Sequence, residues 1–486
     1  MTEPRSVQGY IDQTPAWPDG TPTPTVPLTR MQWRIWLLAT AGKFFEGLVV
    51  FMTGVALPLI VKEYDLSSLE KGMVGAAPLA GIMVGAVALG GLADTWGRRF
   101  MFVLEMLVFL VFLIGLAVAP GLGWLVFFLF GVGVALGCDY PTAHLVISES
   151  IPSRDRGRLV LGAFAFQAIG ALVGTAVGYA ILVHAPELGA WRWMYATAIV
   201  PAALVVIGRL FITDSGQWLM AHGRRLDAER ELQRLLERKP RYPSHVHLAE
   251  IDPDYALHSP DVRRGRWRDL FTKKNRRATV LASVPWFLQD LGTYGIGLFT
   301  PMILVHTIGH EITEAQNVAG VIARDIEAAK GAAVIDIFLV VGILAAVLLT
   351  DRIGRIRLQV LGFIGCAIGL ALAMMQAHAA EPARTLLLFG GFMIFNFMTN
   401  IGPNAQTYLL AGEVFPTNIR GKGAGFAAAF AKLGAVIAAF TFPAVLYNTG
   451  IDFLLTGLVL TSLLGALVTW WFRIETKGVN LEEIGR

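Results

Sequence analysis

The sequence predicts an all-α membrane protein in which twelve transmembrane helices form two six-helix, pseudo-symmetric bundles. Three observations carry that prediction. The composition is 55% hydrophobic and only 16% charged, with a mean hydropathy of +0.58, against roughly 25% charge in a soluble globular domain. Apolar segments long enough to cross a bilayer, about 20 residues each, recur twelve times along the 486 residues. Motifs at the ends of spans in the first half return with the same spacing in the second.

Residues 1–32 are polar and rich in Pro and Thr (Thr21, Pro22, Thr23, Pro24, Thr25, Pro27). Such a stretch does not bury enough apolar surface to order itself, so a disordered cytoplasmic tail is expected. It lacks the short apolar core and small-residue cleavage site of a signal peptide before Trp33. The spans follow at approximately 33–61, 70–93, 100–119, 122–148, 158–184, 191–213, 277–304, 331–350, 357–378, 384–411, 423–447 and 450–473. Between the sixth and seventh lies a hydrophilic insert, 214–276, with Gly223-Arg224-Arg225 and Arg263-Arg264-Gly265-Arg266. Its 226–237 portion has helical periodicity and many opposite-charge neighbours, which predicts one or two surface helices. The expected organisation is therefore a tail, a bundle over 33–213, a cytoplasmic linker, a bundle over 277–473 and a tail over 474–486.

Loop cations set the expected orientation. The loops after spans 2, 4, 8 and 10 carry Arg98 and Arg99; Arg154, Arg156 and Arg158; Arg352, Arg355 and Arg357; and Arg420 with Lys422. The loops after spans 3, 5 and 11 carry none, and that after span 7 reads as net acidic, with Glu311, Glu314, Asp325 and Glu327 against Arg324 and Lys330. Both termini are thus expected in the cytoplasm, with the chain in a plasma membrane, a bacterial inner membrane. A formal charge of +4 is too small to argue for nucleic acid. Cys138 and Cys366 sit in apolar sequence, so neither a disulfide framework nor a metal cluster is indicated. His144, His184, His306 and His310 show no metal-ligand spacing with acids, and no Ser/His/Asp or Cys/His set is defensible. The reading is a non-enzyme without cofactor or metal.

The internal repeat is specific. Asp94-x-x-Gly97-Arg98 after span 2 returns as Asp351-x-x-Gly354-Arg355 after span 8. Glu149-x-x-Pro152-x-x-x-Arg156-Gly157 after span 4 returns as Glu413-x-x-Pro416-x-x-x-Arg420-Gly421 after span 10. Matching positions in two halves imply parallel repeats about an axis normal to the membrane, with a cavity between them near the midplane. Asp94 and Arg98 flank a tight turn and, with Glu149 and Arg156 on the neighbouring hairpin, are placed to form a network when the helices converge. Asp351, Arg355 and Glu413 with Arg420 are expected to do the same in the second half, each exposed pair being worth on the order of 1 kcal/mol. From Trp33 to the end, these features resemble the major facilitator superfamily of secondary transporters. That resemblance implies that the loop ion pairs close the cytoplasmic side in the outward-facing state.

An ionisable residue inside a span is costly and a functional candidate. The candidates are Lys43 and Glu46 in span 1, Glu105 in span 3, Asp139 in span 4, Asp290 in span 7, Asp336 in span 8 and Lys432 in span 11. Glu105 reads as close to the Arg98-Arg99 loop and Asp336 as close to a membrane face, so both are set aside. Lys43 and Glu46 are placed to pair on one helical face. Asp139 follows the glycine-rich stretch Gly131-x-Gly133-x-x-x-Gly137, which allows close helix approach, and is expected to face the bundle interior. Trp286, Asp290 and Tyr294 form one stripe of span 7 and are read as a polar wall of the cavity. Gln167, Asn404 and Lys432 are further groups able to donate to an anion.

Together, Asp139-Tyr140-Pro141, Gln167, Trp286 to Leu298, Pro403-Asn404, Glu413-x-Phe-Pro and Lys432-x-Gly-Ala resemble the phosphate:proton symporter branch. The closing Glu475-Thr-Lys-Gly-x-x-Leu-Glu-Glu-Ile is similar to the signature of that branch and of the sugar porters. The resemblance implies that Tyr140, Gln167, Trp286, Asp290, Tyr294 and Asn404 contact substrate and that embedded acids carry the proton. That branch has paired acids in span 1; here Glu46 stands alone beside Lys43, a cation that suits a carboxylate as well as a phosphate. The expectation is a proton-coupled symporter of a small anion, phosphate or a small organic carboxylate, working by alternating access as a monomer. Asp290, Asp139 and Glu46 exchange protons, Lys432 and Lys43 supply positive potential, and Tyr140, Gln167, Trp286, Tyr294 and Asn404 orient the solute. Its partners are then that solute, protons and the lipid bilayer. Rival readings are a sugar or polyol carrier, in which two buried lysines have no task, an organic-cation carrier with Asp139 and Asp290 as counter-charges, and a membrane nutrient sensor signalling through the insert.

Overall fold

Twelve helical crossings account for nearly all of the computed structural model, which describes residues 6–13, 28–88, 92–237, 246–248, 266–308, 318–416 and 419–477. Spans 1 to 5 are Arg30–Tyr64, Ser68–Ala88, Arg98–Ala117, Leu122–Ser150 and Ser153–His184. Span 6 comprises Ala190–Ala196 and Ile199–Arg209, and span 7 is Arg276–Ile308. Spans 8 and 9 are Val318–Ile353 and Arg355–Met374. Span 10 breaks at Gly402 into Ala383–Ile401 and Pro403–Glu413, because Pro403 offers no amide to continue the ladder. Spans 11 and 12 share Arg420–Trp471, the chain reversing at Gly450, whose φ of 80° suits glycine. Ten described helices are long and apolar enough to cross a membrane, the last of them being this double span. Span 7 completes the set with 33 residues.

The helix ends follow local chemistry. Thr29 caps span 1: Gln32 N donates to Thr29 Oγ1 (3.1 Å) and Thr29 N to Gln32 Oε1 (2.8 Å), a reciprocal capping box. Gly97 and Gly354 precede spans 3 and 9 with φ of 100° and 103°, a left-handed turn repeated in both halves. Two expectations shift. Span 8 begins at Val318, well before 331, so Asp325 and Glu327 belong to a helix; Glu311 and Glu314 lie outside the described residues. Part of the expected disordered tail is a helix, Val7–Asp12, because Val7, Tyr10 and Ile11 make an apolar face buried with Leu219, Ala228, Leu232 and Leu235. The linker supplies two described helices, Gly216–Ala221 and Arg225–Leu236, laced by pairs such as Arg225–Glu229 at 3.1 Å.

The packing repeats as the motifs do. Span 1 lies on span 5 and span 2 on span 4; in the second half, span 7 lies on span 11 and span 8 on span 10. The halves meet where span 2 packs on span 11 and span 5 on span 8, two contacts related by the same pseudo-twofold. We call the face bearing Arg98, Arg156, Arg355 and Arg420 the basic face. On the opposite half of the bundle the seam is tight: the backbone of Gly54 abuts the Leu298 carbonyl and that of Gly72 the Phe440 carbonyl, leaving no room for a Cβ. These two contacts seal the seam on that side.

Candidate functional site

Spans 1, 5, 7 and 11 each bring one or two polar groups to a single point between the halves. On span 1, Glu46 Oε2 pairs with Lys43 Nζ at 3.0 Å, the three-residue spacing placing both on one helical face. Glu46 Oε1 accepts from Tyr294 OH of span 7 (2.8 Å) and from Gln167 Nε2 of span 5 (3.2 Å), and lies 3.3 Å from Lys432 Nζ of span 11. Lys432 Nζ is also 3.1 Å from Asp290 Oδ2 and donates to Tyr294 OH (2.7 Å). Gln167 Nε2 reaches Tyr294 OH as well, at 2.9 Å. Lys43, Glu46, Asp290 and Lys432 are all 5% exposed or less. With both lysines protonated and both carboxylates ionised, the cluster is neutral, which is how charge is tolerated at such depth.

The arrangement has a chemical consequence. The Lys432–Asp290 contact is an ion pair at 3.1 Å between the two buried side chains. Lys432 stands between two carboxylates of opposite halves, so neutralising either acid releases part of its positive field to another anion. On the basic side of the cluster, Tyr408 stacks on Phe164 with centroids 4.5 Å apart, and Lys43 Nζ lies 5.5 Å from the Phe164 ring centroid. This aromatic pair crosses from span 10 to span 5 and covers the cluster.

The other expected contacts lie elsewhere. Trp286 is buried with Leu410, Ala427 and Phe415 and meets Tyr408 edge-on at 6.2 Å, one turn from Asp290 toward the basic face. Asn404 donates to Asn400 at 2.6 Å. The side chains of Tyr140 and Asp94 lie outside the described residues. Asp139 is buried but is not brought into the cluster. Arg209 Nη2 holds its Oδ1 at 2.8 Å while Nη1 holds Glu105 Oε1 at 2.8 Å. The guanidinium also donates to the carbonyls of Leu38 and Phe102 and lies over the Phe102 ring. Glu105, set aside as close to the Arg98-Arg99 loop, is thereby corrected to a buried member of the first half, 4% exposed. Asp139 lies against the backbone of Gly42, on the same helix as Lys43 and Glu46.

Sequence reasoning missed Arg209, which ends span 6 and reads as an ordinary cation at a helix terminus. The signal was two acids, Glu105 and Asp139, at matching depth without a counter-charge. Asp336 was misplaced by the late start given to span 8: it is 2% exposed at mid-helix, accepting from Thr175 Oγ1 (2.8 Å) and Asn396 Nδ2 (3.3 Å).

At the basic face, Arg98 chelates Glu149 (Nη2 to Oε1, 3.1 Å) and Arg355 chelates Glu413 (Nε to Oε2, 3.2 Å), with Asp351 2.8 Å from Arg355 Nη1. The repeat is real, but the glutamates take the turn arginines. Arg156 instead reaches Ser153 Oγ at 3.5 Å and Arg420 donates to the Phe415 carbonyl at 3.1 Å. Each Glu stands at the end of a helix facing its own half's turn, so each pair ties helices within one half. Glu475 accepts from the amides of Arg355 and Ile356, capping span 9.

An all-helical membrane chain of two repeated six-span halves, with a charge-balanced polar cluster on the seam, defines a secondary transporter of the major facilitator fold. The chain belongs to the sugar (and other) transporter family, whose profile matches residues 35–486. It is similar to the niacin transporter NiaP of Acinetobacter baylyi, 26% identical over 464 residues, 95% of this chain and 98% of that protein. It is also similar to the repressible high-affinity phosphate permease of Neurospora crassa, 27% identical over 424 residues, 81% of this chain and 73% of that protein. Among solved structures, the proton:xylose symporter XylE superposes with a TM-score of 0.73 at 19% identity, covering 93% of this chain and 98% of XylE. The protein is therefore a multi-pass membrane transporter of the sugar, metabolite and phosphate type, not an enzyme.

Proposed function

We propose that the protein is a proton-coupled symporter of a small anion, phosphate or a small organic carboxylate, acting by alternating access. The observation that carries the reading is Lys432 held between Glu46 of one half and Asp290 of the other, at 3.3 and 3.1 Å. A proton on Asp290 or Glu46 cancels one counter-charge, and the lysine then attracts the incoming anion. Gln167 and Tyr294 offer donors beside it, while Lys43 adds a second cation. Release of the proton restores the internal pairs and displaces the anion, so that solute and proton leave together. Two relatives are named for anionic solutes, niacin being a carboxylic acid and the permease a phosphate carrier. In this scheme Asp290 and Glu46 exchange protons, whereas Asp139 holds the first half together through Arg209.

The same proposal orients the chain by its loop cations: the basic face is cytoplasmic, as are both termini, in the plasma membrane. The units that rock are 33–213 and 277–473, joined by the 214–276 linker, in a monomer. The Arg98–Glu149 and Arg355–Glu413 pairs stiffen the helix ends that close the cytoplasmic side. The seal on the other face and the Phe164–Tyr408 cover on the cytoplasmic side enclose the cluster from both directions. The test is uptake of labelled phosphate and carboxylates into proteoliposomes under an imposed pH gradient. Asp290→Asn should abolish proton-driven accumulation while leaving solute exchange; accumulation undiminished in Asp290→Asn removes it from the coupling scheme.

A further inference from the structure

We infer that Asp336 is a positioning residue for transport, a polar latch that keeps the face opposite the basic face closed. Asp336, Thr175 and Asn396 are 2%, 1% and 2% exposed. Both carboxylate oxygens are engaged, Oδ1 by Asn396 Nδ2 (3.3 Å) and Oδ2 by Thr175 Oγ1 (2.8 Å). Asn396 belongs to span 10, in the same half as Asp336, and moves with it. Thr175 belongs to span 5, in the other half. The Thr175 bond therefore crosses the seam that must part when the opposite face opens.

Its position suits that task. Thr175 lies eight residues beyond Gln167 on span 5, roughly 12 Å along the helix axis, on the way to the opposite-face end at His184. The latch thus sits beyond the ion cluster, at about the depth of the apolar seal made by Gly54 on Leu298 and Gly72 on Phe440. When the halves separate there, Oδ2 loses its only described donor in a dry interface. An unpartnered carboxylate is penalised until water reaches it. Opening is consequently coupled to hydration at this point, and a partly parted seam is disfavoured. A hydroxyl donor to a charged acceptor accounts for about a tenfold bias toward the sealed state. This inference requires only that the halves alternate, and is independent of which solute or ion is carried.

The experiment reads sidedness directly in the full chain in nanodiscs. Ala439→Cys places a reporter in the span 2 to span 11 seam, where Ala439 is fully buried, while the native Cys138 and Cys366 are buried. Thr175→Val keeps the side-chain shape and removes the donor; maleimide labelling of the reporter should rise about tenfold. Thr175→Ser restores the hydroxyl and should return labelling to the parent rate. Asp336→Ala should raise labelling to a similar extent, with no further rise in the double variant, because both changes remove the same bond across the seam. Parental labelling in Thr175→Val overturns the inference, as does an equal rise in Thr175→Ser. Independent, multiplying effects of Thr175→Val and Asp336→Ala also overturn it.

Discussion

Replacing Arg209 by Met is the sharpest test of the buried charges in the first half. The change keeps side-chain bulk but removes ion pairs at 2.8 Å to both Glu105 and Asp139, and hydrogen bonds to the Leu38 and Phe102 carbonyls. What remains is two carboxylates with side chains 1% and 3% exposed and no cation between them. Breaking a buried pair in this one-sided way costs about 3–5 kcal/mol, mostly because the surviving charge has lost its compensation. Adding Glu105→Gln and Asp139→Asn to Arg209→Met leaves no charge among these three positions and should recover most of that loss. Unfolding titrations in mixed micelles, comparing parent, single and triple variants, measure both steps. The reasoning fails if Arg209→Met lies within about 1 kcal/mol of the parent, or if the triple variant is no more stable than the single one. Asp139→Asn alone leaves the Arg209–Glu105 pair intact, so proton-driven accumulation should persist in it; its loss would return Asp139 to the coupling scheme.

Two further outcomes follow from the geometry of the seam and the repeats. Gly54→Val puts a branched side chain against the Leu298 carbonyl, so the opposite face should fail to seal; substrate binding persists while net uptake falls at least tenfold, and wild-type uptake would contradict the close contact. Arg98→Ala and Arg355→Ala break equivalent pairs, Arg98–Glu149 and Arg355–Glu413, whose side chains are 11–15% exposed. Each should cost on the order of 1 kcal/mol in the same micelle titrations, and a difference above about 2 kcal/mol between them would deny the functional equivalence of the two halves.

The architecture was legible because span length and loop charge are local properties. So was the core of the site: Lys43 and Glu46 meet because they are three residues apart, and Asp290 and Tyr294 share a helical face wherever span 7 is placed. What eluded the sequence are the partners across helices. Lys432 was identified as a buried cation, yet nothing in the chain states that it bridges Glu46 and Asp290. Glu149 and Glu413 chose the turn arginines over the nearer Arg156 and Arg420, because helix ends decide reach and sequence separation does not. Asp336 was misjudged through depth, since shifting a helix start by a dozen residues moves a charge about 18 Å along the axis, and Glu105 through its partner Arg209 on another helix. The Val7–Asp12 helix was hidden in a polar tail, because three apolar residues suffice once linker helices cover them.

The balance of Lys43, Glu46, Asp290 and Lys432 has an electrical consequence. Moving one elementary charge through 100 mV involves about 2.3 kcal/mol, but two cations beside two anions displace no net charge. These four groups therefore add no net charge of their own to the turnover of the empty carrier. Under the proposed symport scheme, the cluster leaves the current to the cargo, vanishing when a monovalent anion travels with one proton and appearing when that ratio changes.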